Sequence, residues 1–186
     1  MPPTAVKTIE DTIYWQYAKL ISKSAGMGLN ARAFQMATFQ RLKKGEMRWS
    51  STIKEWVLEN EKPKECIYCG AKGDLTTEHL LPKCCGGEDI LDNVIRICKN
   101  CNSKKGGKKL YEYFGHENRD KIPRIAEGKY LKLLHQLHEK AGTLKLSEKE
   151  LQTELCPKCD MAKLCQKVGK EHKLNVYCLE GSFNKR

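Results

Sequence analysis

Residues 66–110 read CIYCGAKGDLTTEHLLPKCCGGEDILDNVIRICKNCNSKKGGKKL, and this stretch decides the fold. Two CxxC pairs, Cys66/Cys69 and Cys98/Cys101, bracket an insert of 28 residues. A two-residue gap lets one tight turn aim two sulfurs at a single ion, and four thiolates in a tetrahedral shell suit structural zinc. A closed shell leaves no open coordination position, so this ion is expected to be structural and to pin the start of the insert to its end. Inside the insert, LTTEHLLP (75–82) is rich in β-formers and stops at Pro82, and VIRI (94–97) is a second short strand. The loop between them carries Gly86 and Gly87, which suit unusual backbone angles. A helix is expected to start after the last CxxC pair. The predicted order is strand, loop, strand, helix.

Upstream, residues 1–62 contain no cysteine and read as a helical N-terminal domain. Ile13, Tyr17 and Leu20 or Ile21 repeat at helical spacing, and Gly26 and Gly28 end that helix. Asn30 is a cap for a second helix carrying Phe34, Ala37 and Leu42, with Gly45 at its end. Ser50 or Ser51 caps a third, with Ile53, Trp56 and Val57 facing inward, and Pro63 separates it from the cysteine-bearing stretch. Downstream, Leu110, Tyr113 and Phe114 form one apolar set. A longer helix from about Gly128 to Lys140 carries Tyr130, Leu131, Leu134 and Leu137. The chain thus divides into 1–62, a core at 63–145 and a small C-terminal module at 146–186.

That last module holds Cys156, Cys159, Cys165 and Cys178, with gaps of two, five and twelve residues. Four thiolates again permit a tetrahedral zinc, with His172 as a substitute ligand, and so small a module needs a metal to fold. Two structural zinc ions per chain are expected. Cys84 and Cys85 are adjacent, a poor arrangement for one metal, and receive no role. His135 and His138 stand three apart on a helix and read as core or surface residues rather than ligands.

The net charge of +11 favours a polyanionic partner, nucleic acid first. No apolar run of membrane-spanning length occurs, and the N-terminus lacks a signal-peptide core, so an intracellular, cytoplasmic protein with reduced thiols is expected. Lys99, Lys104, Lys105, Lys108 and Lys109 form a run free of acids around a helix start, suited to phosphate contact. Arg32, Arg41, Lys43, Lys44 and Arg48 read as a solvated face.

The order Glu78-His79, Gly86-Gly87, Asn93 and Asn102, set between the two CxxC pairs, resembles the HNH, or ββα-metal, endonucleases in their zinc-bearing four-cysteine form. The resemblance implies an α-rich α+β fold: a small ββα-metal core stapled by zinc, with helical and zinc-bearing flanks. It implies that His79 is the general base, that Glu78 and Asn102 hold a catalytic Mg²⁺ or Mn²⁺, and that Asn93 holds the loop that orients His79. Phosphodiester hydrolysis needs a deprotonated nucleophile, charge neutralisation at phosphorus and help for the leaving oxygen. Imidazole suits the first task and a hard, oxygen-ligated ion the other two. Adjacent strand residues point to opposite faces, so Glu78 and His79 serve one site only if the backbone bends or the ion lies at the strand edge. The expected substrate is double-stranded DNA, in a site-specific restriction or defence role, and a palindromic site goes with a symmetric dimer. A nicking nuclease, an RNase and a zinc-containing DNA-binding protein without catalysis are the competing readings.

Overall fold

The structure, a computed structural model, describes residues 3–28, 30–48, 52–61, 64–170 and 173–185, apart from the side chains of residues 52–54 and 56. In chain order the elements are helices α1 (Ile9–Ser24), α2 (Arg32–Lys43) and α3 (Thr52–Asn60), strands β1 (Leu75–His79) and β2 (Val94–Cys98), then helices α4 (Lys99–Lys105), α5 (Leu110–Phe114), α6 (Arg124–Lys140), α7 (Glu148–Glu150) and α8 (Ala162–Lys167). The fold is helix-rich with one two-stranded antiparallel sheet. Among the described residues no helix is long and apolar enough to cross a membrane. The chain forms two compact units, residues 1–49 with 134–182 and residues 50–133 with 183–186. Helices α1 and α2 and the C-terminal cysteine segment therefore share a unit, α3 belongs to the other, and α6 supplies residues to both.

In the first unit, Thr8 caps α1: its Oγ1 accepts from the Asp11 amide at 3.1 Å. The amides of Ile9 and Glu10 donate to the carbonyls of Leu146 and Leu144, which ties the helix start to the segment after α6. Ile9, Ile13, Tyr17 and Leu20 are buried, the i, i+4 stripe of an amphipathic helix. Ile21 is only half-buried, so the pattern is resolved in favour of Leu20. Against α1 packs α2, with Phe39 edge-on to Trp15 at 6.1 Å and Lys43 paired to the buried Asp11 at 2.8 Å. The expected Asn30 cap is not formed: Ala31 occupies the cap position without a side-chain hydrogen bond. The buried face of α2 is Gln35, Thr38, Phe39 and Leu42, while Ala37 is exposed. Gly26 and Gly28 follow α1 at φ +72° and +71°, left-handed values that end a helix at no steric cost.

His138 sits in this unit, fully buried. Its Nε2 lies 3.0 Å from the Leu179 carbonyl and its Nδ1 lies 2.7 Å from the Thr143 hydroxyl. A carbonyl only accepts, so Nε2 carries the proton and Nδ1 receives one from Thr143. Burial, against the opposing pull of the Leu179 carbonyl and with some help from His135, brings the His138 pKa down to about 4.

In the second unit, β1 and β2 pair in the register Leu75↔Cys98, Glu78↔Ile95 and His79↔Val94. The first strand stops at His79, short of Pro82, but the Leu80 amide still donates to the Asn93 carbonyl at 2.8 Å. Ile95 and Ile97 are buried, and Glu78 shares their face because directly opposed residues project to the same side. Two buried ion pairs fasten α3 here. Glu59 accepts from Lys129 of α6 at 3.0 Å and from the Arg96 amide at 2.8 Å, and Lys129 also donates to the Val94 carbonyl at 2.6 Å. Lys132 pairs with Glu55. Val57 is exposed rather than inward. The expected caps Ser50 and Ser51, the break at Pro63, and the side chains of Ile53 and Trp56 lie outside the described residues. The helix expected from Gly128 begins four residues earlier, at Arg124, directly after Pro123.

The buried charges of both units can be tested by substitution. Lys129→Met removes the buried partner of Glu59 and leaves only the more distant Arg96 guanidinium, at 3.9 Å, so it should cost up to about 3–5 kcal/mol. Adding Glu59→Gln, which keeps an acceptor for the Arg96 amide, should recover most of the loss. Urea unfolding of the single and double variants checks this, and a double variant as unstable as the single one refutes the charge argument. For His138 the folded pKa lies below the ordinary 6.5. The unfolded chain therefore takes up a proton first as the pH falls. The stabilisation is whole above about 6.5 and is lost between there and about 4, by up to about 3 kcal/mol. The drop in unfolding free energy on acidification should be smaller in His138→Gln; an equal drop shows that other groups carry it.

Candidate active site and metal centre

The four sulfurs of Cys66, Cys69, Cys98 and Cys101 all lie within 4.8 Å of one another. The Cys69 and Cys98 sulfurs are 3.9 Å apart. A zinc ion with Zn–S bonds near 2.3 Å sets tetrahedral edges of about 3.8 Å, so the residues present fit that ion. Local backbone builds the site. The Gly70 amide donates to the Cys66 carbonyl at 2.8 Å, closing the turn, and the Ile67 amide donates to Arg96 of β2 at 3.1 Å. Cys98 ends β2 at the cap of α4, and Cys101 lies in the first turn of that helix. Burial acts to raise the Cys66 thiol, but the backbone amides of Cys98 and Cys69 outweigh it and bring the group down to about 7. The Cys101 thiol is pushed up, by burial and then by the neighbouring cysteines. Four thiols this close resist ionising together unless a cation compensates them.

Above this cluster, β1 delivers Glu78 and His79 to opposite faces. Glu78 is buried and its Oε1 accepts from Lys105 Nζ at 2.5 Å. The same Nζ donates to the His79 carbonyl at 2.7 Å. Lys105 thus clamps the Glu78-His79 pair onto α4 and is itself only 1% exposed. Lys109 is likewise buried. Of the five lysines read as phosphate contacts, Lys99, Lys104 and Lys108 are exposed, whereas Lys105 and Lys109 face inward. Asn102 stands one turn before Lys105 on α4, half-buried, and its side-chain amide has no partner among the described residues.

On the other face, His79 Nε2 lies 2.5 Å from Asp89 Oδ1. The second oxygen of Asp89 accepts from Lys83 at 2.6 Å. Lys83 first, and His79 second, hold the Asp89 carboxyl below its ordinary value, so it is an ionised acceptor. That assigns the imidazole proton to Nε2 and leaves Nδ1 with a free lone pair and no partner among the described residues. Sequence reading gives Asp89 no role; its one signal is an acid two residues after the glycine pair.

Asn93 shapes the loop that carries Asp89. It is fully buried. Its Oδ1 accepts from the Leu81 amide at 2.8 Å, and its Nδ2 donates to the carbonyls of Leu81 at 3.0 Å and Glu88 at 2.9 Å. Gly87 passes so close that a Cβ there would stand 1.8 Å from the Leu81 oxygen, so only glycine fits. Cys84 is exposed beside Gly107 and Cys85 is buried; neither joins the sulfur cluster. Asn93→Ala leaves the Leu81 amide and carbonyl buried without their partner and should cost about 1–3 kcal/mol. Amide exchange at Leu81 should accelerate at the same time, and unchanged protection there refutes the bracing role.

The four C-terminal cysteines, all in the first unit, line one cavity of about 70 Å³. Their sulfurs are more widely spread than the first set: among the described residues, only Cys66, Cys69, Cys98 and Cys101 bring three or more candidate ligand atoms within 4.8 Å of one another. Burial, and then the neighbouring Cys165, Cys156 and Cys159, push the Cys178 thiol up to about 12. His172, the alternative ligand, lies outside the described residues.

The chain is 28% identical over 116 residues to the type IV methyl-directed restriction enzyme EcoKMcrA of Escherichia coli (strain K12), a match covering 55% of this chain and 40% of that protein. The chain therefore spans well under half the length of that relative. No solved structure matches significantly. A family model described as HNH endonuclease matches residues 66–117. That span contains the sulfur cluster, both strands, α4 and α5, and it is the part of this chain that is similar to the HNH endonucleases.

Proposed function

We propose that the protein is a metal-dependent endonuclease that hydrolyses the phosphodiester bonds of double-stranded DNA, with His79 as general base. The observation that carries this reading is the His79–Asp89 pair, which fixes the imidazole in a tautomer whose Nδ1 lone pair is available to take a proton from water. Asp89 also stabilises the imidazolium that forms. Asn93 acts at a distance, by setting the loop from which Asp89 reaches His79.

Glu78 and Asn102 offer a carboxylate and an amide oxygen, a hard donor set that suits Mg²⁺ or Mn²⁺. Only one Glu78 oxygen is engaged by Lys105, and the Asn102 amide is unengaged among the described residues, so both retain donor capacity. Bound there, the ion supplies Lewis acidity at the phosphate and the leaving oxygen. Lys99, Lys104 and Lys108, exposed on and after α4, serve phosphate contact; the buried Lys105 instead holds the site together. Zinc on Cys66, Cys69, Cys98 and Cys101 is structural in this reading, because its shell is complete. The relative's name describes a restriction enzyme, and a restriction or defence role against foreign DNA follows by that likeness.

The test is supercoiled plasmid incubated with Mg²⁺ or Mn²⁺. The wild-type chain should nick and linearise it, and His79→Ala should slow cleavage by roughly 10²–10⁴-fold while duplex binding persists. Asp89→Asn keeps an acceptor oxygen but removes the charge, and should slow cleavage by less. Wild-type binding without nicking under any divalent ion means a DNA-binding protein instead. Cleavage of structured RNA in preference to duplex DNA overturns the substrate, and full activity in His79→Ala removes His79 from the mechanism.

A further inference from the structure

Cys156, Cys159, Cys165 and Cys178 line one cavity, yet they do not close on a point. A single tetrahedral ion draws its four sulfurs to edges of about 3.8 Å and leaves no void between them. The first cluster has that compactness. The second does not: among the described residues no three of its sulfurs lie within 4.8 Å of one another, and the space they surround measures about 70 Å³. That is several times the roughly 10–15 Å³ that one water needs. Where each thiolate binds its own iron at a separate corner of a cluster, the sulfurs stand further apart and the metal core fills the middle.

The walls suit such a group. Leu151, Leu155 and Ala162 make much of the lining apolar. Asn175 is buried, with its Nδ2 held at 2.7 Å from the Lys173 carbonyl and 3.7 Å from the Cys165 sulfur. This is the N–H···S contact that tunes thiolate ligands. Lys170 and Lys173 also line the cavity, and their backbone carbonyls hold the Asn175 amide in place beside it. Gly181 lies so near Cys159 that a Cβ there would stand 2.4 Å from its sulfur. The absence of a side chain at 181 therefore leaves Cys159 free to face inward.

From this geometry we infer that the C-terminal segment holds a cuboidal iron–sulfur cluster, [4Fe–4S], on Cys156, Cys159, Cys165 and Cys178, in place of the second zinc that residue counting suggests. Each thiol gives up its proton to solvent as its sulfur binds one iron; the core comes from a preformed cluster or from two ferrous and two ferric ions with four sulfides, which gives the 2+ state with no further oxidant. No residue is shared between this cluster and the nuclease site, so the two stand or fall separately.

The full chain, produced and purified without oxygen, should be brown. It should contain iron and acid-labile sulfide at about four of each per chain, together with about one zinc. Chain isolated without the cluster should regain colour, iron and sulfide on anaerobic incubation with ferrous and ferric iron in equal amounts and sulfide. Cys165→Ser should lose the iron and the visible absorption while keeping the zinc of the first cluster, which reports that the rest is folded. Cys84→Ser should keep all three. Gly181→Ala, which crowds Cys159, should bleach faster in air than the parent chain. Two zinc ions per chain without sulfide, or a refusal of iron and sulfide on reconstitution, overturns the cluster, as does a Cys165→Ser chain with unchanged iron.

Discussion

Lys105 is the constraint on which the candidate site depends. A lysine with 1% exposure is stable as a cation only if its environment returns what water supplied, and here Glu78 and the His79 carbonyl do so. The same two contacts decide where β1 can lie on α4. Glu78 must face the helix, the pleat then sends His79 the other way, and the antiparallel register places Val94 opposite it. The conflict posed by two adjacent functional residues on one strand is thus met by separate partners on separate faces. Lys105 holds the acid, and Asp89, carried by the return loop, holds the imidazole.

The sulfur cluster and Asn93 do complementary work around that clamp. The cysteines join the entry of β1 to the exit of β2, so the insert of 28 residues is closed at its base by covalent ligation once a metal is bound. That closure does not dictate the path of the loop within it. Asn93 does: one side-chain amide satisfies both backbone groups of Leu81 and a third at Glu88, which replaces a stretch of ladder the strands do not reach. Position 87 must be glycine for the chain to pass that bracket. A buried amide with all its bonds made is rigid, and the rigidity is passed to Asp89, earlier in the same loop.

The signals legible in the sequence are the local ones. The CxxC spacing, the alternation in LTTEH and VIRI, and the glycine pair are rules of a few residues, and each corresponds to an observed element. Charge patterning misreads the lysine run in part, because it registers composition and not partners. Lys105 is buried through an acid 27 positions away, which no window of the chain reveals. Asp89 escapes notice for the same reason, since its meaning lies in a histidine ten residues back across a loop. On α2, Phe34 and Phe39 are both eligible for the core, and the choice of Phe39 rests on Trp15 of another helix.

The two sets of cysteines show the same limit from the side of chemistry. Sequence counts four thiols in each and so assigns the same ion to each. Whether four sulfurs bind one ion or frame several is a matter of their separation, which is set by backbone outside the ligands. In the first set, two short turns and a helix start draw the sulfurs inward, with backbone amides lowering Cys66 to about 7. In the second, a helical run from α7 through Leu155 carries Cys156, α8 carries Cys165, and a turn opened by Asn175 carries Cys178. Each of these elements has its own packing to satisfy, and Leu151, Leu155 and Ala162 keep them apart around a shared apolar space. Thiolate is soft enough for zinc or for iron and sulfide alike, so the ligand type does not choose. The volume enclosed does.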